Sequence, residues 1–289
     1  MPSKTSLPLV QVKKLLRQSG LKAKKRLGQH FLIDEAVLET IVSAAELSSK
    51  DTVLEVGPGL GILTVELARR AGKIITVELD AKLASLLERR LASFPNVSII
   101  NADILKVSPS QLLRGEHNYK VVANLPYYIT SPILRYFVEA SLKPSLMVMM
   151  VQKEVGEAIV AKPGNMTLLA VSLQVYSKPK IVSYVPAESF YPPPKVDSAI
   201  VRFDLLPQPA VEVADIDGFF EVVRCGFSSP RKQLRNSLAQ GLGVKPAEAA
   251  QLLEKARIEH QRRAETLSLD EWAKLYQVSA DLIRGKVPC

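Results

Sequence analysis

Val53-Leu54-Glu55-Val56-Gly57-Pro58-Gly59-Leu60-Gly61 is the stretch on which the fold turns. A short apolar, β-rich run ends in glycines at alternate positions, and a helical pattern over residues 64–71 follows. Glycines in such a loop remove side chains where the backbone must turn tightly and approach a ligand. Glu78 stands at the end of the next apolar run, 74–79. An acid at that place can accept hydrogen bonds from both ribose hydroxyls of a nucleoside. The spacing is Gly-x-Gly-x-Gly, not the Gly-x-Gly-x-x-Gly of dinucleotide folds, which disfavours a nicotinamide oxidoreductase and suits a nucleoside without a pyrophosphate.

Outward from this loop, apolar runs at 53–56, 74–79, 97–100, 121–123 and 146–151 alternate with helical patterns such as 81–92 and 132–141. Near-continuous apolar strands separated by helices predict a parallel sheet covered on both faces. Two later runs, 173–185 and 198–203, have no long helix between them and are expected to pair antiparallel at one edge. Asp34 is placed to cap a helix over 35–47. Leu206-Pro207-Gln208-Pro209 reads as a linker, and helical patterns follow at 219–227, 231–238, 246–256 and 269–278. The expected organisation is α/β: a basic segment at 1–33 that contributes to the cofactor site, a main domain at 34–205, a linker at 206–213 and a small all-α domain at 214–289.

Composition narrows the setting. The net charge is +9, with eight basic and no acidic residues in 1–30, and nine basic against three acidic in 224–263. Basic ends around an acidic middle attract a polyanion by phosphate contact and counterion release. Cys225 and Cys289 are the only cysteines and the three histidines are scattered. The pattern gives no disulfide framework and no metal-ligand spacing, and fits a reducing cytoplasm. No apolar run approaches a membrane span.

Three further elements carry chemistry. Asp103, ending the third strand, is placed to accept from an adenine amino group or to cap the turn that follows. Asn124-Leu125-Pro126-Tyr127 follows the fourth strand, at the same edge as the glycine loop. The lone pair of an aromatic amine is delocalised into its ring, and acceptors that hold both amino hydrogens steer it toward an electrophile. The Asn124 side-chain oxygen is one acceptor, and the backbone carbonyl of Leu125 or Pro126 is the other. Tyr127 offers a ring on which a base can stack. In Phe190-Tyr191-Pro192-Pro193-Pro194-Lys195-Val196-Asp197-Ser198, three prolines stiffen the loop, and Phe190 or Tyr191 is placed to wall the other side of an extruded base.

In these residues the chain resembles the KsgA/RsmA ribosomal RNA adenine dimethyltransferases. The resemblance runs from Lys24-Lys25-Arg26-Leu27-Gly28-Gln29-His30-Phe31-Leu32, through the loops above, to Arg231-Lys232-Gln233-Leu234-Arg235-Asn236 and Arg263-Ala264-Glu265-Thr266-Leu267-Ser268. It implies a class I, Rossmann-like methyltransferase domain of seven strands with a helical C-terminal domain. S-adenosyl-L-methionine is the implied cofactor, held by Gln29, His30, Leu32, Gly57, Gly59, Glu78, Asp103 and Asn124. Lys24, Lys25, Arg26, Arg231, Lys232 and Arg235 are the implied RNA contacts. The implied reaction is dimethylation of two adjacent adenosines near the 3′ end of 16S rRNA in the small ribosomal subunit, by a cytoplasmic monomer without a metal. His30 stands where the family's pattern has asparagine. Erm-type enzymes, which act on 23S rRNA, share the catalytic loop; the segments at 231–238 and 263–268 favour the small-subunit reading. A non-catalytic RNA-binding assembly factor is the remaining alternative, and intact Glu78 and Asn124 argue against it.

Overall fold

The computed structural model of the chain describes residues 7–18 and 29–284; Lys24, Lys25, Arg26 and Cys289 lie outside these residues. The elements run α1 (Leu7–Gln18), β1 (Phe31–Leu32), α2 (Glu35–Ala44), β2 (Thr52–Val56), α3 (Ile62–Ala68), β3 (Lys73–Glu78), α4 (Ala81–Arg90), β4 (Val97–Asn101), α5 (Pro109–Leu113), β5 (Lys120–Asn124), α6 (Thr130–Glu139) and β6 (Leu146–Gln152). They continue with α7 (Lys153–Ile159), α8 (Leu168–Gln174), β7 (Ser177–Val185), β8 (Phe190–Tyr191), β9 (Ser198–Leu205), α9 (Ile216–Phe227), α10 (Leu234–Leu242), α11 (Pro246–Lys255) and α12 (Leu269–Arg284).

Two compact units result: residues 1–157 with 178–205, and 158–177 with 206–289. The first holds the seven-stranded sheet, ordered β4-β3-β2-β5-β6-β9-β7. β4, β3, β2, β5 and β6 are parallel, and β9 runs antiparallel to β6. Every residue of β2 is buried, as is all of β6 but its last, which is why these strands carry no polar–apolar alternation. β7 is the outermost strand beside β9; its exposed positions alternate and include Lys178 and Lys180, a charged edge that discourages further pairing. The chain leaves β2 in one direction toward β3 and β4, and returns to the other side at β5. In a sheet of this kind the crevice at the carboxyl ends of the two strands flanking that reversal is where ligands sit.

Local chemistry explains most boundaries. Asp34 caps α2 by accepting from the Ala36 and Val37 amides, at 3.0 and 3.3 Å. Ser268 and Glu271 cap each other's backbone at the start of α12, at 3.2 and 2.8 Å. Two expectations need correction, and one helix was not foreseen. Residues 173 and 174 belong to α8 and not to a strand: Thr167 caps that helix through the Ala170 amide, and Ala170, Val171 and Leu173 are buried along it. The helix expected from Arg231 starts at Leu234, because the Ser229 carbonyl first closes a turn, accepting from the Lys232 amide at 2.9 Å and the Ser237 hydroxyl at 3.0 Å. The basic N-terminal segment contains a helix, α1, whose Val12 and Leu16 are buried with Phe31, Leu60 and Leu83.

The second unit is helical, built on α9. Phe219, Phe220, Trp272 and Tyr276 form aromatic contacts around it, with Phe219 and Phe220 edge-to-face at 5.2 Å between centroids. Gly226 permits the closest approach: a Cβ there would stand 2.3 Å from Trp272 Cη2. Residues 158–177, expected with the main domain, join this unit because the Gly164 and Met166 amides both donate to the Glu265 carbonyl at 2.9 Å. The expected linker is tied down in the same way, with Leu206 and Ala210 amides on the Tyr176 and Val175 carbonyls.

Candidate active site

A cavity of about 400 Å³ opens at the carboxyl ends of β2, β3, β4 and β5 in the first unit. Its walls include Gln29, His30, Leu32, Gly57, Gly59, Glu78, Asp103 and Asn124, together with Leu125, Pro126 and Tyr127. The size lies within the range of small-ligand pockets, and the place is the one dictated by the strand reversal.

The glycine loop builds the floor. Gly57, Gly59 and Gly61 have φ of +66°, +58° and +74°, the left-handed region that side chains disfavour. At Gly59 space is short as well, since a Cβ would lie 3.2 Å from the Phe31 ring. Glu78, 6% exposed, is tied to this loop: Oε2 accepts from the Gly59 amide at 3.2 Å and Oε1 from the Asp80 amide at 2.9 Å. Burial pushes its carboxyl above the usual carboxylate range. Asp103 lines the cavity and also accepts from the Leu105 amide at 3.1 Å, so it caps the turn as well as facing the pocket. Sequence reasoning missed Asn101, whose Nδ2 donates to the Glu78 and Leu79 carbonyls at 2.8 and 3.2 Å and holds the end of β3. It also missed Asp80 and the apolar lining of Leu60, Ile62 and Leu83. An amide beside an acid at a strand end was the signal for Asn101.

At the other end of the cavity, Asn124 Nδ2 donates to the His30 carbonyl at 3.3 Å. A carbonyl only accepts, so the amide's oxygen end is left as an acceptor. Of the two carbonyls the sequence left open, that of Pro126 accepts from the Ile129 amide at 3.2 Å and the Thr130 hydroxyl at 3.4 Å. Leu125 donates its own amide to Met150 at 3.2 Å, and its carbonyl has no partner among the described residues. Tyr127 is half-buried, with its hydroxyl 2.8 Å from Ser198 Oγ and its ring stacked with His30 at 5.9 Å. Burial raises the phenol above its ordinary 10, so it stays protonated at neutral pH.

Residues 20–280 match the family model described as ribosomal RNA adenine dimethylase. The chain belongs to that family. Relatives named ribosomal RNA small subunit methyltransferase A include one from Dehalococcoides mccartyi, 52% identical over 269 residues that cover 92% of each chain. Another, from Pelotomaculum thermopropionicum, is 44% identical and covers 91% of this chain and 94% of its own. Among solved structures, a dimethyladenosine transferase from Plasmodium falciparum superposes with a TM-score of 0.76 at 26% identity, covering 88% of this chain and 98% of that one. The 23S rRNA methyltransferase ErmE gives 0.69 at 29% identity, covering 86% and 98%. The class I, Rossmann-like methyltransferase fold expected from the resemblance is the one observed.

Within this family frame, one expected site residue is placed elsewhere. Phe190 is 2% exposed and packs in the core with Leu32, Val185 and Ile200, so it does not wall the cavity. β8 pairs with β1 in the register Leu32↔Phe190, which turns Phe190 to the core. Its neighbour Tyr191 is half-buried, with Lys13 Nζ 5.2 Å from its ring. In the second unit, Arg231 and Lys232 are exposed in the turn before α10, and Arg235 is half-buried in its first turn. Among the described residues no His, Cys, Asp and Glu group is arranged to hold a metal, and no helix is long and apolar enough to cross a membrane.

Beneath the loop, Glu55 is 1% exposed, with its carboxyl buried beside the Thr64 and Thr76 hydroxyls. Desolvation drives its carboxyl up from 4.5 to about 8. The folded chain thus keeps a proton that the unfolded chain releases above about 4.5. The associated stability is fully present at lower pH and declines as pH rises through the window to about 8. Glu55→Gln keeps a neutral side chain throughout. Thermal melts of both proteins are expected to diverge across that window, with wild type falling behind by a few kcal/mol at roughly 1.4 kcal/mol per pH unit. Parallel melting curves would remove the buried proton.

Proposed function

We propose that this chain transfers methyl groups from S-adenosyl-L-methionine to N6 of two adjacent adenosines in the 3′-terminal hairpin loop of 16S rRNA, working as a single chain, without a metal, on the small ribosomal subunit in the cytoplasm. The observation that carries the reading is the meeting of Glu78 and Asn124 in one cavity at the strand reversal. Its fit to the cofactor rests on two features: the left-handed glycine loop, where a Cβ at Gly59 would crowd Phe31, and the buried Glu78 carboxylate that accepts from the Gly59 amide. Gly57, Gly59, Glu78 and Asp103 hold the nucleoside, with Gln29, Leu32 and the backbone of His30 over the methionine side. Bound there, the cofactor supplies a methyl group activated on a sulfonium sulfur.

The chain's own residues handle the amine. Asn124 Oδ1 and the Leu125 carbonyl accept its two hydrogens and leave the lone pair facing the cavity. Tyr127 supplies a stacking face, worth roughly 1–3 kcal/mol per base. The amine becomes strongly acidic as the new bond forms, so no strong base is needed, and the effect is mainly positioning. Tyr127, held protonated, is not such a base. The exposed Arg231 and Lys232, Arg235 beside them, and Lys24, Lys25 and Arg26 contact RNA phosphates. The unit of residues 1–157 with 178–205 carries the cofactor site, and the helical unit of 158–177 with 206–289 carries Arg231, Lys232 and Arg235.

Incubation with methyl-labelled cofactor and small subunits lacking the modification is expected to yield labelled N6,N6-dimethyladenosine in the 16S digest. Label appearing only in large-subunit RNA would favour the Erm-type activity. No label, from folded protein that binds cofactor and subunits, would reduce the chain to an RNA-binding assembly factor.

A further inference from the structure

The antiparallel register Phe31↔Tyr191 and Leu32↔Phe190 puts His30 opposite Pro192 as the next pair outward. Proline has no amide hydrogen, so the ladder cannot continue there. Two groups are released by this break. The His30 carbonyl, without a ladder donor, accepts Asn124 Nδ2 at 3.3 Å. The Pro192 carbonyl lies 2.7 Å from His30 Nδ1, which therefore carries the hydrogen. The imidazole plane lies 23° from that of Tyr127, with 5.9 Å between centroids, and the far end of Tyr127 is fixed on Ser198. One residue thus touches the amide, the aromatic ring and the proline-rich loop that together form the amine side of the cavity.

We infer that His30 is a positioning residue for the target base: its side chain serves the adenine side of the site, whereas its place in the family pattern assigns it to the cofactor. Its carbonyl fixes which end of the Asn124 amide faces the amine. Its ring sets the plane on which Tyr127 receives the base, and its Nδ1–H clasps the Pro192 loop. Asparagine at this position can reproduce the bond to the Pro192 carbonyl but not the ring contact with Tyr127. This inference rests on the roles proposed for Asn124 and Tyr127.

The test compares wild type, His30→Ala and His30→Asn on under-methylated small subunits, with S-adenosylhomocysteine affinity by calorimetry and thermal unfolding measured alongside. His30→Ala is expected to lower kcat about tenfold to a hundredfold, the loss typical of a slight misplacement. Its affinity for S-adenosylhomocysteine stays unchanged. Compared at equal total conversion, its products contain a larger share of monomethyladenosine, a ratio that mere loss of folded protein does not move. His30→Asn recovers part of kcat. The inference is overturned if His30→Ala weakens S-adenosylhomocysteine while kcat at saturating cofactor holds, if kcat and product ratio are unchanged, or if His30→Asn equals wild type in both. Should His30→Ala not fold, the ratio in His30→Asn decides. A wild-type protein that binds S-adenosylhomocysteine yet methylates nothing would instead bring down the broader reading of the site.

Discussion

Asn124→Ala is expected to lower methyl transfer roughly 10²–10³-fold, the usual cost of deleting one preorganised polar group aimed at a reacting atom. The loss falls on kcat, because the amide's task is to hold the amine's lone pair in line, and alanine offers no acceptor. Affinity for S-adenosylhomocysteine changes little, since Glu78 and the glycine loop remain intact at the other end of the cavity. Stability also changes little: the variant leaves only the His30 carbonyl without its donor, a cost of about 1 kcal/mol. Single-turnover rates on small subunits, with calorimetry on the same protein, separate these effects. A variant that methylates at the wild-type rate would strip Asn124 of its role.

Glu78→Ala is expected to have the opposite signature. Hydrogen bonds to a charged group contribute about 1.5–3 kcal/mol each, so losing a carboxylate that receives two ribose hydroxyls weakens cofactor binding by roughly 10²–10⁴-fold. The carboxylate is already preorganised by the Gly59 and Asp80 amides, so little of this is recovered by rearrangement. Those amides lose their acceptor as well, and the glycine loop loosens. At saturating cofactor, the transfer rate stays much closer to wild type. Burial holds Glu78 above the normal carboxylate range, so in wild type the affinity weakens as pH falls and the acceptor is protonated. That dependence disappears in Glu78→Ala. Calorimetric titration across pH checks both, and an unaltered dissociation constant would place the nucleoside elsewhere.

The cofactor end of the site was legible because its signals are local. A strand, alternating glycines and an acid at the next strand end lie close in sequence, and each follows from backbone geometry. The Asn124 loop was legible for the same reason, with Pro126 marking the turn. What escaped depends on contacts between distant segments. α1 lies in a segment that reads as basic and proline-containing, yet Val12 and Leu16 are buried against Leu60 and Leu83. Phe190 carries the right chemistry for a base wall, but pairing with Leu32 turns it into the core. Residues 158–177 follow the β6 strand in sequence, and distant partners, the Glu265 carbonyl and the Leu206 and Ala210 amides, draw them into the second unit. The joint role of His30 and Pro192 arises from a register that neither residue displays alone.

These effects all require one arrangement, a nucleoside donor bound between Glu78 and Asn124. A crystal structure of the chain with S-adenosylhomocysteine tests it most directly. The ribose hydroxyls should lie within hydrogen-bonding distance of the Glu78 carboxylate, with the thioether sulfur directed toward the side of the cavity that holds Asn124 Oδ1. A ligand seated away from the glycine loop, or an Asn124 amide oxygen turned from the sulfur, would contradict it.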